Sequence, residues 1–403
     1  MSVAQGQSCE NNATDPCAHP YDRDDSSCVP VPPELHPDGE QSNSFPQSYL
    51  TEDCGIGTTW CADYVALVPN GTVTQPELVV LLPGLDMEPV QLEHLAYIAA
   101  YAGHRTLVVP WDTTNAENDG MPTTYAGGTC ADTCPSTYRG EILTGVDDPL
   151  TGDEGSLTVY DTSGSVVQAN GASVVIDVGH EAQYFSSVRQ RIARGLNDLE
   201  AEDTAGWDWG QYCEPDDVWG TRIAWDSVIV GGFSAGASMA MYIGTRKETA
   251  GVFLADGLGD FCEADYDGVS GEPAGWMSER SETPLSRWRL AMHTASNFLN
   301  QPYVPKVNGF SESYVELGLL DSGGGGSVPL EDTGDTGHFD WSGARVMSTH
   351  HEDTGDPSFN AHGAMGNDGQ MWGVGLAPPP ITEGTSTHQL YLFDAYLSAI
   401  CDL

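Results

Sequence analysis

Basic residues are scarce in this chain: 14 Lys and Arg stand against 59 Asp and Glu over 403 residues, a formal charge of -45. A surface so acidic repels phosphate backbones and anionic bilayers, which excludes nucleic acid as a partner. Long apolar runs are missing too. No stretch approaches the roughly 18 consecutive apolar residues that a helix needs to cross a bilayer, so no transmembrane segment is expected. The start, Met1-Ser-Val-Ala-Gln, has neither the basic nor the apolar region of a secretory signal. No internal repeat of useful length is present, which leaves out solenoids and arrays. A paired metal-ligand pattern is lacking as well. Cys130 and Cys134 have a permissible zinc spacing, but no second cysteine or histidine pair lies nearby. Asp265-Tyr-Asp267-Gly-Val-Ser-Gly-Glu272 opens like a calcium loop, yet its glutamate is not at the twelfth position, and it reads as an acidic turn. Neither a metal nor a cofactor is expected.

What is present is enough apolar material for a substantial core, 39% of the residues. The acidity is read as a highly solvated surface. Ten cysteines are many for a reducing compartment, and Cys54 with Cys61 and Cys130 with Cys134 form short-range pairs. Disulfides are the expected use, and they imply an extracellular, periplasmic or cell-surface location with the export signal removed. Neither their pairing nor the oligomeric state follows from the sequence.

Residues 1–50 are dominated by Asp, Glu, Ser, Asn and Pro and read as an acidic, disordered tether. Residues 51–403 read as one domain. Its first strand is expected over Ala62–Pro69, its second over Leu78–Leu82, followed by a helix from Val90 whose apolar positions recur at three and four. Arg105–Trp111 is a third short strand, so a strand, helix, strand order predicts a parallel crossover. From about 112 to 179 the chain is rich in Gly, Thr and Asp, with β-like runs at Ser156–Tyr160 and Ser165–Gln168; it reads as a disulfide-bearing insertion over one end of the sheet. A helix is expected from about Glu181 to Glu200, and further strands over Ala250–Asp256, Trp288–His293 and Ala344–His350. The Gly-rich stretch after Ser322 and Asp332-Thr-Gly-Asp-Thr-Gly are read as flexible loops.

The chemistry centres on Gly232-Phe233-Ser234-Ala235-Gly236, which follows the apolar run from Asp226 and precedes a small-residue helical stretch. Strand, sharp turn and helix with serine at the apex make a nucleophile elbow, in which glycines flank a turn too tight for side chains. In a chain with 47 glycines the pentapeptide alone means little. The strand ending at Leu82-Pro83-Gly84 gives it context, because the loop after such a strand supplies an oxyanion amide. Leu85 and Ala235 are the expected donors. A serine hydroxyl needs a base, and the base needs an acid to orient it. His362, in Ser358-Phe-Asn-Ala-His-Gly-Ala-Met-Gly after the last expected strand, is the favoured base, with His350 and His351 as competitors. Asp256, directly after a strand, is the favoured acid, with Asp260 and then Asn297 as substitutes. Trp111, Tyr125 and Trp207 are expected to line the cleft.

Together these stretches resemble the α/β-hydrolase superfamily, and within it a little-characterised group of secreted bacterial members. The likeness runs over most of residues 60–400. It includes the Leu-Pro-Gly strand end, Gly206-Trp207, the run from Trp225 to Gly236, Trp276, Thr283-Pro284, His293, Leu317-Gly-Leu and Ala361-His-Gly. The group commonly has Gly-His-Ser-Gln-Gly at the elbow and His-x-x-Asp where this chain has His293-Thr-Ala-Ser296. The resemblance implies an α/β fold with a mostly parallel central sheet and helices on both faces. It also implies a serine hydrolase acting on small or polymeric carboxylic esters. Amide or peptide hydrolysis on the same fold, and a non-catalytic binding protein on a degenerate scaffold, are the alternatives.

Overall fold

Short, almost uninterrupted runs of Val, Ile, Leu and Ala have no polar face to show to water, so they suit parallel strands covered on both sides. In the computed structural model such runs form the middle of one nine-stranded sheet. The residues described are 40–41, 64–69, 75–84, 87–111, 139–140, 143, 158–160, 166–168, 188–216, 220–257, 261–262, 272–273, 275–293, 314–321, 326–329, 341, 344–349, 365 and 395–403.

In chain order the sheet strands are β1 (Glu40–Gln41), β2 (Val65–Leu67), β3 (Leu78–Leu82), β4 (Arg105–Val108), β5 (Val228–Phe233), β6 (Gly251–Ala255), β7 (Trp288–His293), β8 (Ser327–Pro329) and β9 (Val346–Thr349). Their spatial order is β1-β2-β4-β3-β5-β6-β7-β9-β8. The pairs β1–β2 and β2–β4 are antiparallel, and every other pair is parallel. The main helices are α1 (Glu93–Tyr101), α2 (Val188–Glu202), α3 (Ala235–Arg246) and α4 (395–401).

The period of two along each strand sorts side chains into two cores. Leu78, Val80 and Leu82 of β3, Val228 and Val230 of β5 and Val252 and Leu254 of β6 join α2 and α3 in one layer. Val79 and Leu81, Ile229 and Phe233, and Phe253 and Ala255 join α1 and α4 in the other. Helices therefore cover both faces, as the resemblance implied.

From β3 the chain crosses to β4 on one side; β5, later in sequence, lies on the other side of β3. In an open parallel sheet, the crevice beyond the carboxyl ends of strands at such a reversal is where ligands bind. Leu82 and Phe233, each followed by a sharp change of direction, end the two strands that flank it.

Several elements differ in extent from the sequence reading. Glu40–Gln41, inside the stretch read as a tether, pairs with β2. The two β-like runs of the expected insertion form a small hairpin, Thr158–Tyr160 with Val166–Gln168. A second hairpin, Cys213–Asp216 with Gly220–Ile223, was not expected, and neither was β8, three residues long just past the Gly-rich stretch. Cys213 is a free thiol, while Cys401 is disulfide-bonded. Cys130 and Cys134 lie outside the described residues.

Candidate active site

Ser234 takes φ 55 and ψ -120 between the last residue of β5 and the first of α3. A non-glycine residue in that region is strained by roughly 1–3 kcal/mol, and it persists only where its surroundings dictate the backbone. The surroundings here are other backbones. A Cβ on Gly236 would fall 1.9 Å from the Leu82 carbonyl oxygen and 2.4 Å from that of Pro83. One on Gly232 would fall 2.6 Å from the same Leu82 oxygen. Glycine at both positions lets the elbow press against the end of β3.

Hydrogen bonds complete the clamp. The Ser234 amide donates to the Ala255 carbonyl at 3.1 Å, and the Ser234 carbonyl accepts from the Ser238 amide at 3.0 Å and its hydroxyl at 3.3 Å. Ser234 occupies the position before the helix where a serine usually caps the first turn, but its side chain does not do so. The first amides of α3, that of Ala235 included, have no acceptor within the helix and mark the positive end of its dipole. Ser234 is only 3% exposed, so the apex lies beneath other parts of the chain rather than open to solvent.

Pro83-Gly84 lies directly against the elbow: a Cβ on Gly84 would sit 3.1 Å from the Ser234 Cβ and 3.2 Å from the Phe233 ring. The Trp111 indole N–H donates to the Pro83 carbonyl at 2.8 Å. Arg191 in turn donates to the Pro110 carbonyl at 3.3 Å. Trp111 belongs to the core and is 4% exposed. Its indole N–H, once buried, needed an acceptor, and the proline carbonyl supplied one. Trp207 packs against the same core partly buried.

Asp256 stands one residue beyond β6, beside the elbow, because Ala255 is in register with Phe233. It too has a positive φ, 46, and it is 3% exposed. Its amide donates to the Ala291 carbonyl at 2.7 Å, and its carboxylate accepts from the His293 amide at 3.1 Å. The carboxylate is thus oriented by the end of β7, the strand after which no acid stands. The hydroxyl of Tyr314 donates to the carbonyl of Gly257, the next residue.

On the other face of the sheet, the Tyr396 hydroxyl of α4 donates to the carbonyl of Met365 at 2.6 Å. Burial foremost, and then the charge of Asp256, push both phenols well above the usual tyrosine value. Both therefore remain protonated donors. They feel the Asp256 charge from opposite layers, Tyr314 from one core and Tyr396 from the other.

Among the expected site residues, Ser234, Ala235 and Asp256 are brought together at the carboxyl ends of β5 and β6. Leu85, Asp260, Asn297, His350, His351 and His362 lie outside the described residues. Met365, three residues after His362, is fully buried. The supporting roles of Tyr314, Tyr396 and Trp111 were not foreseen. No local signal marks a tyrosine or tryptophan whose partner is a backbone carbonyl far along the chain, although Tyr314 precedes the noted Leu317-Gly-Leu by three residues. Among the described residues no cluster of metal-ligating side chains occurs, and no helix is long and apolar enough to cross a membrane.

No protein-family model matches the chain, and no curated protein does. Solved structures similar to it include TT1662 from Thermus thermophilus, at 12% identity and a TM-score of 0.31 over 74% of this chain and 87% of that one. Another is an S-formylglutathione hydrolase from Agrobacterium tumefaciens, at 10% identity and 0.29 over 64% and 80%. A third is native sOPH, at 12% identity and 0.26 over 63% and 72%. Likenesses this loose carry no argument about activity, which has to come from the elbow itself.

Proposed function

We propose that this chain is a serine hydrolase of the α/β-hydrolase type, cleaving carboxylic esters through an acyl-enzyme on Ser234. One observation carries the reading: a serine at φ 55 and ψ -120 on a strand-to-helix turn, between two glycines that no other residue could replace, at the reversal point of a parallel sheet. A structural serine has no need of such a backbone.

In the proposed reaction His362 takes the Ser234 proton as the Oγ attacks the ester carbonyl carbon. The tetrahedral oxyanion is held by the amides of Leu85 and Ala235. Collapse expels the alcohol, which leaves with the proton from His362, and water then hydrolyses the acyl group by the same steps. Asp256 orients the imidazole and stabilises its charged form. Support for His362 comes from its place in the sequence, in a loop after the last expected strand and three residues before the buried Met365, whose carbonyl accepts from Tyr396. His350 and His351 remain the rival bases, as Asp260 and Asn297 remain the rival acids. The substrate is a small or polymeric ester. Cys401 in a disulfide and ten cysteines in all favour an exported protein.

Initial rates on p-nitrophenyl acetate and butyrate, with the matching anilides beside them, test this reading. Wild type is expected to turn over the esters faster than the anilides. Ser234→Ala is expected to lose at least about 10⁴-fold in kcat, as is whichever of His362→Gln, His351→Gln and His350→Gln removes the base. Ester turnover that survives in folded Ser234→Ala would rule the reading out, and faster anilide turnover would move the activity to amides.

A further inference from the structure

The segment that meets the elbow, Pro83-Gly84, is a dipeptide that does little to fix its own orientation. The 83–84 peptide group carries the Pro83 carbonyl on one side and the Gly84 N–H on the other, in one plane. Turning it over exchanges a donor for an acceptor. Proline at the first central position suits turns of either orientation, and glycine at the second accepts φ of either sign. Glycine also eases the close approach here, since a Cβ on Gly84 would crowd Met87 Sδ at 2.9 Å and Ser234 Cβ at 3.1 Å. Local sequence therefore leaves open whether this peptide shows the Ser234 side chain its hydrogen or its oxygen. A carbonyl oxygen beside a developing oxyanion would raise the barrier that an amide lowers.

The orientation is set from 28 residues away. The buried Trp111 indole N–H donates to the Pro83 oxygen at 2.8 Å, and that oxygen is turned toward Gly236, 2.4 Å from where a Cβ there would stand. Trp111 is itself firmly placed. It follows the last rung of the β3–β4 ladder, where the Val109 amide donates to the Leu81 carbonyl at 3.0 Å, and Arg191 holds the Pro110 carbonyl before it.

We infer that Trp111 is a positioning residue for the oxyanion side of the site: its indole N–H anchors the Pro83 carbonyl and so keeps the 83–84 peptide from turning its oxygen toward the Ser234 adduct. The inference rests on the serine-hydrolase reading. It predicts that the indole N–H matters to the transition state and hardly at all to substrate binding.

The test compares wild type with Trp111→Phe, and with 3-benzothienylalanine at position 111, which keeps the indole shape and replaces N–H by sulfur should the Phe variant fail to fold. Active sites are first titrated with a fluorophosphonate, so that kcat refers to reactive Ser234. An alkylboronic acid, which adds to a serine hydroxyl as a tetrahedral anion, then serves as the transition-state probe. The expected result is a kcat lower by about tenfold or more, a boronate affinity weakened by a similar factor, and a KM within about twofold of wild type. Unchanged kcat and boronate affinity in a folded variant would overturn the inference. So would a loss of rate explained wholly by fewer titratable sites, because that is a purely structural role. A wild type that takes up no fluorophosphonate sinks the hydrolase reading first and this inference with it.

Discussion

At the scale of single residues, Ser234 and Asp256 share an unusual property: both adopt positive φ without being glycine, one at each of two neighbouring strand ends. Strain of that kind is retained where the surrounding backbone leaves no alternative. Gly236 is the residue that enforces it, since a methyl group there would have to overlap the Leu82 carbonyl. Gly236→Ala is therefore expected to destabilise the fold by about 3 kcal/mol or more, at the upper end of overpacking effects, and to abolish activity. Urea unfolding followed by tryptophan fluorescence measures this; a stability within about 1 kcal/mol of wild type would show that the elbow is looser than its backbone contacts imply. The elbow was legible in the sequence because its determinants are local, five residues whose small flanks report a close approach. The anchors of Asp256 were not legible. They are a main-chain amide 37 residues away and a tyrosine 57 residues from the carbonyl it holds, neither of which leaves a local pattern.

At the scale of elements, two tyrosines tie separate parts of the chain to the carboxyl edge of the sheet. Tyr314 pins the turn after β6 through the Gly257 carbonyl, and Tyr396 of α4 pins the segment that follows His362 through the Met365 carbonyl. Removing either hydroxyl leaves a buried carbonyl without its donor, a loss of about 1–3 kcal/mol. Tyr314→Phe and Tyr396→Phe should both lower stability in urea by that amount, and both should lower kcat more than they raise KM, because a displaced acid or base affects the reaction more than binding. Loss of stability with kcat unchanged would make the two tyrosines plain core residues. The sequence displayed the parallel strands well, since a continuous apolar run of five or six residues between turn formers has few other uses. It concealed β8, where Ser327-Val-Pro is too short to show a period and borders a glycine run. It equally concealed the Cys213–Asp216 hairpin, whose first strand is four residues long and carries a proline, which argues against a strand.

For the whole molecule, the dominant fact is charge. With 59 acidic and 14 basic residues, self-repulsion opposes the compact state, and dissolved salt relieves it. Of the few cations, Arg105, Arg139, Arg189 and Arg191 are buried and do little to neutralise the surface. Raising sodium chloride from about 0.01 M to 1 M shortens the screening length from about 30 Å to 3 Å, so Tm is expected to rise over that range. A Tm that stays level or falls would mean that repulsion among the acidic residues does not limit stability. The overall architecture was legible because helices and strands alternate along the chain. The elbow was placed by its own motif; that it lies where the order of strands reverses is a property of topology, which composition does not contain. Mapping the adduct of a fluorophosphonate by peptide mass spectrometry reads out whether Ser234 is the nucleophile. The expected result is one equivalent of label on the peptide containing Ser234, lost in Ser234→Ala and in the heat-unfolded protein. Label on another serine, or none on the folded wild type, would contradict it.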